Sequence, residues 1–271
     1  MADKTERIDK ILSNNGYGTR KDVKKILHSK AVTVNGKTVC DASFHVNPAS
    51  DEIIVDGVRL NVRKFVYLMM NKCRDVVSAN KDGEHQTVFD LLSDEYRTGK
   101  TLNDLHTVGR LDIDTEGLLL LTTDGSLTHS IISPKSNITK IYLVFLENKM
   151  SEEAQKQCEL QFRNGIHIPA EDNDEECDCM PAKVKFLSED EAEKLAGKGA
   201  QIPKKGEALA FAVLSICEGK YHQVKRMFRA VDNKVIYLKR LSVGSLKLDF
   251  SLMPGQYREL TESEISSLKA L

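Results

Sequence analysis

Four ionisable side chains at alternate positions, Arg110, Asp112, Asp114 and Glu116, run directly into Gly117 and the apolar stretch Leu118 to Leu121. Charged groups seldom lie against a segment about to be buried unless they are paired or do chemistry. A surface ion pair between Arg110 and Asp112, with a helix starting at Thr115, is the simpler account. A carboxylate kept charged beside a dry strand has another use: it can attack an electrophilic carbon or accept a proton. Two other stretches concentrate polar groups, though on composition alone the tyrosine of the first reads as core and the cations of the second as the outer face of an amphipathic helix. Lys140 to Leu146 holds Tyr142, and Glu218 to Phe228 holds Lys220, His222, Gln223, Lys225 and Arg226.

These groups must be placed by regular elements. Leu118 to Leu121, closed by Thr122 and the turn pair Asp124-Gly125, reads as a buried strand ending in a tight turn. Leu127, Ile131 and Ile132 predict a helix ended by Pro134, and Lys140 to Leu146 has strong strand propensity. Leu209 to Ile216 is another apolar strand. It leads through Glu218-Gly219 into a helix with Val224, Met227 and Phe228 inward and its cations outward. Phe65 to Lys72 reads as a buried strand, Thr87 to Leu92 as a short helix, and Thr261 with Glu264 caps a last helix. The acidic run Glu171 to Glu176 begins a change of composition, and Ser188 with Glu191 caps a helix ending near Gly197. Residues 170–206 are expected to form an acidic insertion at the domain edge, turned away from any anionic substrate.

The first sixty residues form a separate unit. Ile8, Ile11 and Leu12 share a helical face, and Asn14-Asn15-Gly16 stops that helix. Thr19 and Asp22 make a capping box for a second helix with Val23, Ile26 and Leu27 on one side and Arg20, Lys21, Lys24 and Lys25 around the rest. Ala31 to Lys37 alternates as a strand into an Asn35-Gly36 hairpin turn. Asn61 to Lys64 is the expected linker.

Composition bounds the possibilities. With 41% hydrophobic residues in 271, there is material for a real core in one large or two modest domains. The 39 basic against 40 acidic residues argue against indiscriminate nucleic-acid binding but leave room for local basic faces. The charged start has no secretory apolar region, and no apolar run reaches the roughly 18 residues of a membrane span, so a cytoplasmic protein is expected. Six scattered cysteines then imply free thiols. Cys177-Asp178-Cys179 lacks the further ligands that a zinc site needs.

The wording of several stretches is specific. Gly109-Arg110-Leu111-Asp112, followed by Thr115-Glu116-Gly117 and the strand closed by Asp124-Gly125, resembles the signature of ribosomal small subunit pseudouridine synthases (RsuA type). Glu218 to Phe228 resembles the third motif of that family, and Phe65 to Lys72 its first, with Cys73 where the family has proline. Residues 7–37 resemble the S4 RNA-binding domain, with Lys30-Ala31 where a glycine usually precedes the strand.

The resemblance implies an α+β fold. A small N-terminal S4-like α/β RNA-binding module (1–62) would precede a pseudouridine synthase domain (63–271) with a mixed, largely antiparallel central sheet. It implies Asp112 as the essential carboxylate, Lys225 as its cationic partner, Tyr142 as the ring stacked on the extruded base, and Arg110 as support for the vacated stack or a phosphate. RNA contacts are expected from Arg7, Arg20, Lys21, Lys24, Lys25, Asn35, Lys37, Lys220, His222, Gln223 and Arg226. The implied reaction is isomerisation of one uridine of 16S ribosomal RNA, at the uridine 516 type of site, without cofactor or metal. The expected partner of this monomer is 16S RNA or an assembling small subunit, with no membrane. Whether Asp112 attacks C1′ or opens a glycal route is left open. So are action on 23S RNA and a non-catalytic S4 adaptor, which would have no need of Asp112, Tyr142 and Lys225 together.

Overall fold

The computed structural model describes residues 5–48, 50–60, 62, 65–97, 104–133 and 135–270. Pro134 and three expected linker residues, Asn61, Arg63 and Lys64, lie outside the described residues. The chain divides into two compact units, Met1–Val66 with Leu92–His106, and Tyr67–Leu91 with Thr107–Leu271.

In the first unit, helices Ile8–Asn14 and Arg20–His28 pack on an antiparallel sheet of order Lys37–Thr38, Val32–Val34, Ile53–Val55, Val58–Arg59. Ile8, Ile11, Leu12, Val23, Leu27, Val32 and Ile53 are buried together as its core. The Thr19 capping box is formed. Its hydroxyl accepts from the Asp22 amide at 3.3 Å, and the Asp22 carboxylate accepts from the Thr19 amide at 3.2 Å. Asn35 and Gly36 both take positive φ (49° and 75°), the geometry that a twisted two-residue hairpin demands. Lys30 takes φ 60°, the left-handed conformation for which a glycine would be free of strain, so this turn is kept at a steric cost of about 1 kcal/mol.

The second unit is built on a long sheet. Its order is Lys183–Leu187, Ala210–Ile216, Lys140–Leu146, Val235–Val243, Glu116–Thr122, Tyr67–Lys72, Tyr257–Glu259. Pairing along that path is antiparallel except between Val235–Val243 and Glu116–Thr122, where Lys239 faces Glu116 and Arg240 faces Gly117. Glu116–Thr122 is buried at every position. The alternative of a helix starting at Thr115 is therefore excluded. Gly117 has φ 104°, and a Cβ there would collide with the Arg240 backbone, so only glycine lets these two strands approach where the charged loop ends.

Asp124 does more than turn the chain. It caps the helix Gly125–Ile132, its carboxylate accepting from the amides of Ser126 and Leu127. The 87–92 stretch is a 3-10 turn, Val88–Leu91.

Residues 170–206 include regular structure. Lys183–Leu187 is the edge strand of the main sheet, and Ala192 and Ala196 of the helix Glu189–Ala196 are buried against Leu143, Phe145 and Tyr237. These two elements within 170–206 are thus part of the domain's sheet and core.

Candidate active site

The loop from Arg110 to Thr115 is held by its backbone. Lys72, buried at the end of its strand, donates from Nζ to four carbonyls: Cys73 (2.9 Å), Asp112 (3.0 Å), Ile113 (3.3 Å) and Thr115 (2.9 Å). Burial pushes its amine down to about 8, with Cys73, Asp114, Asp112 and Glu116 opposing that shift. Ser78 closes the other side, its hydroxyl donating to the Leu111 carbonyl at 2.9 Å and accepting from the Leu111 amide at 3.2 Å. A loop fixed at 111, 112, 113 and 115 gives its side chains one orientation.

Asp112 points into an open cavity of about 800 Å³, walled by Ser78, Arg110, Asp114, Tyr142, Ile216, Lys220, Tyr221, His222, Lys225 and Leu238 among others. Lys225 reaches across from the helix Gln223–Arg229, with Nζ 3.1 Å from Asp112 Oδ2 and 2.7 and 2.9 Å from the two oxygens of Asp114. Burial alone would lower the Lys225 amine; hydrogen bonding to Asp114 and the charges of Asp112 and Asp114 outweigh it and hold the pKa above its usual value. Burial likewise works against the Asp114 carboxylate, and the Lys225 hydrogen bond and charge more than offset it. Tyr142 comes from the strand Lys140–Leu146, buried but bordering the same cavity. His222 sits in a left-handed conformation (φ 45°), its ring stacked on Tyr221 with centroids 3.9 Å apart and Nε2 3.8 Å from Asp112 Oδ2.

Arg110, Asp112, Tyr142 and Lys225 therefore border one cavity, together with Lys220, His222 and Gln223. The expected RNA contacts Arg7, Arg20, Lys21, Lys24, Lys25, Asn35 and Lys37 belong to the other unit. There Arg20, Lys21, Lys24, Lys25, Asn35 and Lys37 are exposed, while Arg7 pairs with Asp9 at 2.9 Å.

Two members of the expected list are turned inward. Arg226 is 1% exposed, and its guanidinium donates to the carbonyls of Pro169, Tyr221 and Glu175. Gln223 is also buried, bonded to Glu218 and to the Lys220 amide. The helix is covered on two sides, by the sheet and by the 169–175 turn, so its cations do not all face outward. The acidic run is corrected too: Asp174 borders the cavity, and Glu171 lies 3.5 Å from His222 Nδ1.

Sequence reasoning noted Asp114 only as one of four crowded charges and gave Lys72 no role. The alternation Arg110, Asp112, Asp114 held the signal for the first. The four carbonyls around Lys72 had none. Among the described residues no group of three His, Cys, Asp or Glu side chains is placed to hold a metal ion.

An RNA pseudouridylate synthase family model matches residues 66–230, and an S4 domain model matches residues 6–53. The chain belongs to the RNA pseudouridylate synthase family. This synthase is 42% identical to an uncharacterized RNA pseudouridine synthase of Bacillus subtilis, covering 97% of this chain and 98% of that one. It is 35% identical to ribosomal small subunit pseudouridine synthase A of Haemophilus influenzae, covering 97% of this chain and 99% of that one. A crystal structure of a pseudouridylate synthase matches with TM-score 0.60 at 34% identity, covering 97% of this chain and 99% of the other. The synthase is accordingly an isomerase with an S4 RNA-binding domain in front of its catalytic domain. None of its described helices is long and apolar enough to cross a membrane.

Proposed function

We propose that the synthase converts one uridine of small-subunit ribosomal RNA, at the uridine 516 type of site, to pseudouridine, acting in the cytoplasm on 16S RNA or an assembling small subunit. Relatives named ribosomal small subunit pseudouridine synthase A, matched over nearly the whole chain, support the substrate class. The observation that carries the chemistry is the Lys225 ammonium 3.1 Å from Asp112 Oδ2 in a cavity bordered by Tyr142.

In this reading the target base leaves the RNA stack, lies against Tyr142, and presents C1′ to Asp112. The N1–C1′ bond breaks, the base turns, C5 bonds to C1′, the C5 proton departs and N1 gains a proton. The nucleophilic and glycal routes both begin from the Asp112 carboxylate, which the Lys225 ammonium contacts at 3.1 Å. The Tyr142 hydroxyl, bordering the same cavity, is the candidate to take the C5 proton. Arg110, exposed at the mouth, fits the vacated stack or a phosphate. The exposed cations of the S4 domain supply affinity without sequence choice.

The test is a pseudouridine map of both ribosomal RNAs from strains with and without the gene. Loss of one site in small-subunit RNA is expected. Loss in large-subunit RNA would move the target, and loss of none would contradict the reading.

A further inference from the structure

The cavity built for a polyanion has carboxylates at its rim. The turn 170–176 crosses beside the Lys225 helix, with the Glu171 and Asp174 backbones bonded to each other in both directions at 2.9 Å. Buried Arg226 pins its base, donating to Pro169 O at 2.8 Å and Glu175 O at 2.6 Å on either side of the turn. Its tip carries the charge. Glu171 Oε1 accepts from Arg229 Nη2 at 3.0 Å and lies 3.5 Å from His222 Nδ1, and Asp172 accepts from the Tyr221 hydroxyl at 2.8 Å. The Arg229 side chain is 54% exposed, so this pairing is solvated and readily exchanged.

Cations and hydroxyls are the groups with which proteins hold nucleic-acid phosphates. Tyr221 and His222 border the cavity and Arg229 follows on the Lys225 helix; Arg229 and the Tyr221 hydroxyl each donate to a carboxylate oxygen, and His222 Nδ1 stands 3.5 Å from Glu171. Negative charge beside the mouth also works against any RNA strand entering it. We infer that Arg229, Tyr221 and His222 form a subsite for RNA phosphate flanking the target uridine, and that Glu171 and Asp172 occupy it in place of phosphate until RNA displaces them. The turn then acts as a latch. RNA that fills the subsite repays its opening, and RNA that reaches only the S4 domain meets repulsion at the cavity. This inference rests on the proposed RNA substrate but makes no use of the chemistry at Asp112.

The test uses the full chain, a small-subunit RNA fragment containing the target, and a scrambled RNA of equal length. Binding is read by anisotropy over a range of salt, and turnover by release of C5 tritium. Glu171→Gln with Asp172→Asn is expected to tighten binding of both RNAs by about five-fold and to lower KM in step. It should steepen the dependence of log K on log salt by about one phosphate contact. Arg229→Ala should weaken binding and remove the gain when combined with the double change. Melting temperatures within a few degrees of the parent's identify folded variants. Unchanged or weaker binding by the double variant, or full gain in the absence of Arg229, overturns the inference. If the parent releases no tritium, the isomerase reading fails, while the binding arms still decide the latch.

Discussion

The two units use charge in opposite ways. On the S4 helix Arg20–His28, Arg20, Lys21, Lys24 and Lys25 stand in solvent, and the Lys25–Asp22 pair is a loose 3.5 Å contact with the lysine 74% exposed. Such charges are free to follow a phosphate backbone, and salt screens them. In the catalytic unit Lys72, Arg226 and Lys239 are buried and donate to backbone carbonyls, and Lys225 is gripped by two carboxylates. These cations cannot follow a ligand. They hold a loop, a turn and a carboxylate at fixed positions, which is what a bond-breaking step requires. In the proposed reaction, exposed charge would supply affinity and fixed charge would supply rate.

Variants can break this contrast. The largest effect should come from Lys225→Met, which removes the cation beside Asp112 and Asp114: kcat is expected to fall by about 100- to 1000-fold, with RNA affinity nearly kept. Weakened affinity with kcat unchanged would show that Lys225 merely binds RNA. Lys72→Met leaves four carbonyls without a donor, and chemical denaturation should show a loss of about 3 kcal/mol. A variant as stable as the parent would deny the clamp. On the S4 side, joint replacement of Lys21, Lys24 and Lys25 by alanine should weaken RNA binding about ten-fold at low salt and flatten its salt dependence by two to three contacts, the loss falling in KM.

The smallest effect is one of pH. The Asp114 carboxylate is held below its ordinary 3.8, so its contribution to stability is complete above that value and is lost as pH falls through the lower folded value. The stability gap between the parent and Asp114→Asn should be constant near neutrality and close as pH falls below about 4. Melting curves across that range check it, and a gap that widens in acid would contradict the pairing.

What could be read from the sequence was mostly local or worded. The capping boxes of Thr19, Ser188 and Thr261 are all formed, because each needs only residues three apart. The Asn35-Gly36 turn followed from φ preference alone. The meeting of Asp112 and Lys225, 113 residues apart, was expected from family resemblance and not from periodicity. The failures are tertiary. A helical period places Arg226 and Gln223 by the one face that packs on the sheet, and the 169–175 turn covers a second face. The charge of the acidic run predicts solvent; its contacts with Arg229, His222 and Tyr221 bring it beside the cavity instead. Lys72 reads from sequence as the tail of a strand, because three of its four acceptors arrive from a loop forty residues on.

In the proposed reaction one fixed carboxylate carries the chemistry while other charges deliver the RNA. Asp112→Asn keeps the shape of the site and removes the charge. Tritium release from C5-labelled small-subunit RNA, measured under single-turnover conditions with binding followed in parallel, tests it directly. The account predicts RNA affinity within about two-fold of the parent and release slowed by at least about 1000-fold. Release at a rate close to the parent's would contradict it.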